Sequence, residues 1–315
     1  MRYIKIVLAL FTLLFLVSCK KNKVYQKEDN FIYFGSYPQT LETDESIIKE
    51  LNNKADKWND YNYYINGNKD SFMYYKDIDL NNDNNYDYRG VYFTKYRPTS
   101  TLIESSESRS YQDDNGYLIN NVYWFKYEKI KWRILEEKDN KCLLLSDILL
   151  DSQSYCDSTS DEPFYEHNGG VGSPNNYELS DIRKWLNESF YNTSFNIKEK
   201  EIIINSEVDN SLDSTTWAKN AYVCDNTFDN IFLLSNKEVE YIYFKDKDSR
   251  VCKGTDYAKI QGLMVSPNMN SYWRLRTPYT NFNNRDTHID HTGERYNLSV
   301  NNTGFGIRPG LWIKL

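Results

Sequence analysis

The stretch "DIDLNNDNNYD", residues 77–87, carries an oxygen-bearing side chain at every second position. Calcium takes six to eight oxygen ligands, and alternating Asp and Asn residues in a loop supply them without a rigid cage. Asn and Asp also dominate ordinary turns, so a solvated turn is the alternative interpretation. The alternating residues are Asp77, Asp79, Asn81, Asp83, Asn85 and Asp87. We take Asp77, Asp79, Asn81, Asp83 and Asp87 as candidate calcium ligands and predict no other cofactor.

This stretch does not match an EF-hand. Counted from Asp79, an EF-hand loop needs glycine at its sixth position and glutamate at its twelfth, where this chain has Asn84 and Gly90. Shorter extracellular calcium loops need fewer ligands, and weak affinity suffices where calcium is millimolar. The calcium hypothesis therefore depends on export of the chain.

A second group of possible ligands lies in "RDTHIDH", residues 285–291. It contains Asp286, His288, Asp290 and His291, and so two of the three histidines of the chain. Imidazole and carboxylate groups suit zinc or manganese. Catalytic zinc needs three well-oriented ligands, and we place this stretch in a polar loop, so we interpret the group as solvent-facing.

The sequence contains no familiar catalytic motif. It has no G-x-S-x-G elbow, no H-E-x-x-H pair and no glycine-rich phosphate loop. His167, in "FYEHNGGVG", could serve as a base beside flexible glycines, although a lone loop histidine is more often merely exposed. We therefore predict no catalytic residue.

The N-terminus "MRYIKIVLALFTLLFLVSCKK" indicates export. Arg2 and Lys5 give a positive start, an apolar run follows over residues 6–17, and a small-residue site comes next. The run is too short to cross a bilayer comfortably, and "LVSC" resembles the lipobox of bacterial lipoproteins. We predict a signal peptide over residues 1–18, lipidation of Cys19 and a tether over residues 19–30. The protein would then be anchored to the cell envelope, at an outer membrane or the cell surface.

The charge and composition of the chain limit the classes of partner that it can bind. Residues 1–18 carry two basic side chains and no acidic one, so their removal changes the formal net charge from −7 to −9. An acidic chain without a large basic patch is a poor ligand for a phosphate backbone, and we exclude nucleic acid as a partner. Aromatic residues make up 16% of the chain, which indicates a folded protein and not a disordered stalk.

The pattern of apolar residues predicts many short strands and few helices. Strands are predicted at residues 31–40, in three aromatic runs between 61 and 96, in a hairpin over 122–150, at 201–208 and in three C-terminal segments. Helices are predicted at residues 44–53 after Thr43, after Ser180, and after Ser235, where Glu238 completes a capping box and a strand precedes the helix. Residues 151–176 are predicted to form a long loop. This pattern indicates an α+β protein.

The cysteines after the signal leave the disulfides open. Cys142, Cys156, Cys224 and Cys252 allow three pairings in an exported chain. Cys142 lies on an apolar strand and is as easily a buried thiol as half of a bridge. No C-x-x-C pair is present, so the usual spacing of structural zinc is missing.

Seven motifs in fixed order resemble the bacterial domain of unknown function 6273 family. They are "FGSYPQ", "IKWRILEEKDNKCLLLSD", "LSDIRKWLNESFYNTSF", "FLLSNKEV", "TDYAK", "YWRLRTP" and "GIRPGLWIKL". The resemblance covers residues 31–40 and 121–315 and leaves residues 41–120 as an addition. It implies a fold similar to C-type lectins, in the version found in formylglycine-generating enzymes.

The resemblance also implies roles for several residues. A "W-x-x-R" strand and a "G-I-R" strand would close the core, which makes Trp273, Arg276 and Arg308 structural. Trp132 and Trp185 are further predicted core residues. The copper-binding cysteine pair of the formylglycine-generating enzymes is absent after Cys252, so oxidase activity does not follow.

We divide the chain into the signal peptide, the tether, an N-terminal strand-rich section over residues 31–120 and a lectin-like core over residues 121–315. The first functional hypothesis is a non-enzymatic, lipid-tethered module that binds a glycan or a protein partner. An envelope hydrolase and a purely structural envelope lipoprotein are the alternatives. A cleft with mutually close carboxylates or histidines of perturbed pKa would favour the hydrolase.

Overall fold

The computed structural model describes residues 24–61, 63–65, 68–70, 72–100, 110–157 and 165–315. It is rich in strands and has few, short helices, which confirms the predicted α+β class. In the part of the chain that is described, no helix has the length and apolar character needed to cross a membrane. Residues 1–18 and Cys19 lie outside the described residues.

The helices are mostly one or two turns long. They are α1 (Glu45–Lys54), α2 (Tyr111–Asp114), α3 (Asp181–Trp185), α4 (Tyr191–Ser194), α5 (Ile197–Ile202) and α6 (Asp256–Ile260). Two π-helical segments, Leu186–Phe190 and Glu238–Tyr243, and a 3-10 turn, Leu212–Ser214, complete the set.

The strands run through the whole described chain. The first nine are β1 (Gln26–Glu28), β2 (Phe31–Leu41), β3 (Asn59–Asp60), β4 (Tyr63–Ile65), β5 (Asn68–Asp70), β6 (Met73–Ile78), β7 (Tyr88–Phe93), β8 (Tyr123–Lys138) and β9 (Lys141–Ser146). The next six are β10 (Asp151–Ser152), β11 (Tyr165–His167), β12 (Gly170–Gly172), β13 (Ile203–Ile204), β14 (Ser206–Val208) and β15 (Thr227–Asp229). The last five are β16 (Trp273–Pro278), β17 (Arg285–Ile289), β18 (Arg295–Ser299), β19 (Gly306–Ile307) and β20 (Gly310–Lys314).

The long strand β8 organises a nine-stranded sheet. One edge of β8 pairs with β2, and the other pairs first with β7 and then with β9. The sheet order is β13, β20, β9, β8, β7, β6, β3, and β1 adds to β2. Asp139 and Asn140 turn the chain between β8 and β9 with φ of 51° and 57°, as a type I′ hairpin requires. Residues 31–120 thus contribute strands to the same sheet as the C-terminal region.

A second sheet of five strands has the order β10, β19, β16, β17, β18. Within it, β16 meets β19 in parallel, with Trp273 opposite Gly306. A Cβ on Gly306 would lie 2.4 Å from Cδ1 of Leu149, so glycine allows this close approach.

Side chains of both sheets form one continuous apolar core. Trp132 and Trp273 are fully buried, and each donates its indole N–H to a backbone carbonyl, that of Phe34 or Arg250, at 3.0 Å. Trp185 is half-buried and packs against the ring of Phe190, with 5.5 Å between the ring centres. The two hydrogen bonds satisfy the indole N–H groups of Trp132 and Trp273, which are both buried.

Two helix starts follow the capping rules, although one cap residue is not the predicted one. Asp44, and not Thr43, caps α1, because Oδ1 of Asp44 accepts the backbone N–H of Ser46 at 2.8 Å. The predicted capping box forms: Ser235 N donates to Oε2 of Glu238 at 2.7 Å, and Glu238 N donates to Oγ of Ser235 at 3.2 Å.

Three loop or strand predictions need correction. Residues 151–176, predicted as a loop, contain β10, β11 and β12. Residues 201 and 202 end α5 before a strand begins, because the capping box of Asn196 and Glu199 starts a helix there. Residues 231–234, predicted as a strand, contribute only an isolated bridge between Phe232 and Gly310.

Three of the cysteines are not in disulfides. Cys142, Cys224 and Cys252 are free thiols, and burial raises the pKa of each. Cys142 and Cys252 are buried, so they act as small apolar core residues.

Candidate functional site

Four potential metal ligands converge from three segments that are distant in sequence. Cys156 and Asp157 follow β10, His167 ends β11, and Asp181 begins α3. One ligand atom from each side chain lies within 4.8 Å of the other three. We call this group the Cys156 cluster. Within the described ranges, no other set of three or more His, Cys, Asp and Glu residues is so arranged.

Backbone contacts fix the positions of Asp157, Asp181 and Cys156 in the cluster. Ser180 caps α3 and places Asp181 as its first residue. The backbone N–H of Asp157 donates to Oδ2 of Asp181 at 2.8 Å. The backbone N–H of Cys156 donates to the carbonyl of Val300 at 3.1 Å, which ties this segment to the end of the second sheet.

A tight hairpin delivers the histidine. Asn168 and Gly169 turn the chain with φ of 46° and 84°, so that His167 pairs with Gly170. Nε2 of His167 lies 2.8 Å from Oδ1 of Asp181, and the side-chain amide of Asn168 donates to the same oxygen at 3.0 Å. Asp181 is therefore held from both sides.

The charges of the cluster are strongly coupled. Burial raises the pKa of Asp157 to about 6, and the nearby negative charge of Asp181 adds to this effect. Burial also opposes ionisation of Asp181, but the hydrogen bond and charge of His167, together with the N–H groups of Asp157 and Asn168, outweigh it, and the pKa of Asp181 is lowered. Burial would lower the pKa of His167, yet the hydrogen bond to Asp181 and the negative charges of Asp181 and Asp157 together raise it. The two carboxyl groups therefore lie side by side, and ionisation of one opposes ionisation of the other.

A polar cleft of about 480 Å³ opens beside the Cys156 cluster. It lies between the first turn of α3 and the antiparallel pair of β14 and β15. Among its lining residues are Asn168, Ser180, Arg183, Asn187, Phe228 and Asp229. Asn168 and Ser180 also contact or adjoin Asp181, so the cleft and the cluster share a wall.

The polar groups of the cleft are held in fixed positions. Nε of Arg183 donates to Oδ1 of Asp229 at 2.7 Å, and Thr227 Oγ1 donates to the other oxygen of that carboxylate at 2.7 Å. The side-chain oxygen of Asn187 accepts the backbone N–H of Asn230 at 2.8 Å. Such preorganised groups lose little entropy when a ligand binds.

One aromatic ring and one guanidinium donor remain available at the cleft. Phe228 on β15 is 64% exposed. Among the residues that the structure describes, Nη2 of Arg183 has no hydrogen-bond acceptor, whereas Nε and Nη1 have one each. The cleft therefore offers a flat apolar surface beside a free donor.

A family model described as Domain of unknown function (DUF6273) matches residues 139–315. The chain belongs to the DUF6273 family. Searches of curated proteins and of solved structures gave no significant match.

The DUF6273 region contains both the Cys156 cluster and the cleft. The predicted calcium stretch, residues 77–87, lies outside it. On β6, the two oxygens of Asp77 accept Nε and Nη2 of Arg89, both at 2.7 Å, and the hydroxyl of Tyr127 at 3.0 Å. Asp77 is engaged in a buried ion pair and is not free for a cation.

The remaining candidate calcium ligands form the loop between β6 and β7. Asp79 and Asp83 accept backbone N–H groups of the loop at 2.8 to 3.2 Å. Asp87 accepts the backbone N–H of Leu80 at 2.7 Å and the side-chain amide of Asn81 at 3.4 Å. These contacts are those of Asx turns, and they account for the residue types without a metal.

Calcium binding at this loop stays a prediction. If the loop binds calcium, calorimetric titration of the chelator-treated full chain in detergent will show saturable binding at millimolar calcium. The double substitution Asp79→Ala and Asp83→Ala should abolish it, because it removes two of the remaining carboxylates. The control substitutions Asp246→Ala and Asp248→Ala remove the same charge from another exposed loop and should change nothing. Absence of any binding heat would leave residues 77–87 as a solvated turn.

The placement of "RDTHIDH" in a solvent-facing loop is wrong. Residues 285–289 form β17, in which Asp286 and His288 are buried. Asp286 pairs with Arg274, and His288 packs on the ring of Phe305, with 4.4 Å between the ring centres. The strand does not gather these residues with Asp290 and His291 around a common point.

The predicted structural arginines are both buried and each contacts backbone carbonyls. Arg276 makes two bonds to Glu238, at 2.5 and 3.0 Å, and donates to the carbonyl of Leu233 at 2.8 Å. Nε of Arg308 donates to the carbonyl of Ser146 at 2.9 Å. Arg276 thus connects β16 to the helical turn at Glu238.

Sequence reasoning singled out His167 but missed Cys156, Asp157 and Asp181. The cap at Ser180 places Asp181 at the start of a helix, which is a local signal. Nothing local indicates that a hairpin brings His167 to that helix. The cluster results from tertiary packing of three short segments.

Proposed function

We propose that this protein is a non-enzymatic binding module of the cell envelope, tethered by a lipid at Cys19, that binds a glycan in the cleft beside α3. The lipid anchor and the outer-membrane or cell-surface location rest on the sequence of residues 1–19. The proposed partners are the membrane, through the lipid, and an extracytoplasmic glycan. A protein partner is the alternative ligand.

The cleft carries this proposal. Its volume of about 480 Å³ falls in the range of small-ligand sites. Sugars present hydroxyl pairs and flat faces of C–H groups. Fixed amide, carboxylate and guanidinium groups match the hydroxyls, and the exposed ring of Phe228 matches a C–H face.

The arrangement of strands supports a lectin-like core as part of the proposal. The strand with Trp273 and Arg276 lies next to the strand that begins at Gly306, as the "W-x-x-R" and "G-I-R" motifs would require. The acidic composition suits a glycan better than nucleic acid.

We predict that Phe228→Ala weakens glycan binding at least about fivefold, because the stacking surface is worth about 1 kcal/mol or more. A glycan array probed with the full chain in detergent would identify ligands, and calorimetry on the best of them would give the affinity. The side chain is 64% exposed, so the substitution should leave the fold intact.

Phe282→Ala is the matched control for this test. Phe282 is also an exposed phenylalanine, at 49%, and lies outside the cleft lining. It should keep the native affinity. Equal losses in both variants, or binding unaffected by Phe228→Ala, would contradict binding in the cleft. An array without any ligand would favour a protein partner or the structural lipoprotein.

An envelope hydrolase is the second candidate, because Asp157 and Asp181 have pKa values shifted in opposite directions beside the cleft. A pair of carboxyl groups of this kind can divide the roles of acid and base. Conversion of a bound glycan to shorter products, lost in Asp157→Asn, would establish this activity in place of simple binding.

A further inference from the structure

We propose that Cys156, Asp157, His167 and Asp181 form a binding site for a transition-metal cation of the zinc type. This inference stands independently of glycan binding in the cleft. It rests on three properties of the Cys156 cluster: the chemistry of its ligands, their spacing and the way the fold holds them.

The ligand chemistry selects the cation. A thiolate and an imidazole are ligands for zinc and related transition metals, whereas calcium and magnesium take oxygen ligands. Asp157 and Asp181 complete a set of four protein ligands, the number that tetrahedral zinc requires. Cys156 is only 1% exposed, and its Sγ lies within 4.8 Å of the other three donor atoms.

The spacing is close to that of an assembled site. Ligand bonds of about 2.0 to 2.3 Å place the donor atoms of a tetrahedral zinc site roughly 3.3 to 3.8 Å apart. Here the four donor atoms lie within 4.8 Å of one another. Shifts of the donor atoms by about 1 Å would therefore suffice. Nε2 of His167 and Oδ1 of Asp181 are hydrogen-bonded at 2.8 Å, and a metal bound to both would take the place of the proton between them.

The surroundings hold the ligands as outer-shell contacts of metal sites do. Asp181 accepts the side-chain amide of Asn168 at 3.0 Å and the backbone N–H of Asp157 at 2.8 Å. The backbone of Cys156 is bonded to Val300. Contacts of this kind orient ligands and contribute to metal affinity.

Cobalt(II) is the probe of choice, because a cobalt–thiolate bond absorbs in the near ultraviolet. The full chain in detergent, kept reduced with a phosphine, is titrated with cobalt and then with zinc. We expect one equivalent of cobalt to bind with a thiolate band, and one equivalent of zinc to remove that band. No binding at micromolar cobalt, or binding without the thiolate band, would overturn the proposal.

Two variants assign the site, and one control tests the assignment. Cys156→Ala should abolish the thiolate band, whereas Cys252→Ala removes another buried thiol and should retain it. His167→Gln should lower the affinity at least about 100-fold, since it removes a direct ligand. The His167 side chain is 18% exposed, so this variant decides the question if Cys156→Ala fails to fold. Native cobalt affinity in a folded His167→Gln would overturn the proposal.

The cleft and the metal site can be tested separately. Cobalt titration needs no glycan, and the glycan array can be probed with and without zinc. Loss of glycan binding in Phe228→Ala with full cobalt binding would separate the two functions. Failure of the cobalt test would leave the cleft proposal unaffected.

Discussion

Replacement of Arg274 by methionine should lower the free energy of unfolding by about 3 to 5 kcal/mol, because it breaks a fully buried ion pair and leaves one charge behind. The Arg274 and Asp286 side chains are both 0% exposed, and Nη1 lies 2.5 Å from Oδ2. Without the guanidinium, Asp286 would be a buried carboxylate that has lost its counter-charge. Urea unfolding at neutral pH measures the loss.

The same substitution also removes donors from backbone carbonyls. Nε of Arg274 donates to the carbonyl of Gln153 at 3.0 Å, and Nη2 donates to that of Asn302. The double variant Arg274→Met with Asp286→Leu separates these contributions. The double variant no longer contains the unpaired Asp286 carboxylate, but the two carbonyls still lack the donors that Arg274 supplied. We expect it to recover part of the stability, and the unrecovered part reports on the carbonyls.

Arg133→Met provides the matched control. The Arg133 side chain is 40% exposed and pairs with Asp147 at 3.1 Å. Exposed pairs are worth about 0 to 1 kcal/mol, so this variant should unfold close to the native midpoint. A similar small loss in Arg274→Met would show that the buried pair does not stabilise the fold as argued.

The elements that could be predicted from the sequence are those specified by local rules. The hairpin of β8 and β9 has alternating apolar residues and a two-residue turn, and both signals lie within the hairpin itself. The capping box of Ser235 and Glu238 likewise depends on residues three positions apart. The α+β class follows from the sum of such local patterns.

The elements that could not be predicted depend on distant partners. β17 contains Asp286 and His288, which read as a polar loop. They are buried because Arg274, on a neighbouring strand, supplies a counter-charge and Phe305 supplies a ring. No rule of local patterning can anticipate this compensation, since it appears only when β16 and β17 pair.

The candidate site shows the same limit. Asp77 and Asp79 look equivalent in the sequence, yet Asp77 belongs to a buried pair with Arg89 while Asp79 caps a turn. Conversely, Cys156 and His167 carry no shared motif, yet the fold brings them together. Spacing in sequence thus grouped side chains that the fold separates and did not group side chains that the fold brings together.

Substitution of His288 by glutamine should make the stability of the protein less sensitive to acid. Burial, with a further contribution from the charge of Arg274, lowers the pKa of His288 to about 3. An unfolded chain has a histidine pKa near about 6.5, so between these values the unfolded state binds a proton that the folded state does not. Stability from this group is therefore complete above about pH 6.5 and is lost as the pH falls towards 3.

The expected loss of stability follows from the pH interval between the folded and unfolded pKa values of His288. Each pH unit costs about 1.4 kcal/mol, so the native chain should lose about 2 to 3 kcal/mol through His288 between about pH 6.5 and pH 4.5. The glutamine variant lacks this loss. Its stability at neutral pH should be lower, because the ring contact with Phe305 is gone, but the gap to the native chain should close in acid.

The free energy of unfolding of the variant must be subtracted from that of the native chain at each pH. Other titrating groups change the stability with pH in the opposite direction. Burial raises the pKa values of Asp151 and Asp286 to about 6, so both carboxyls favour the folded state as the pH falls from about 6 to about 4. These contributions cancel in the difference. Phe305→Leu is the control, since it weakens the same ring contact and keeps His288, so its deficit should not change with pH. A constant deficit in His288→Gln as well would show that the buried imidazole does not govern acid stability.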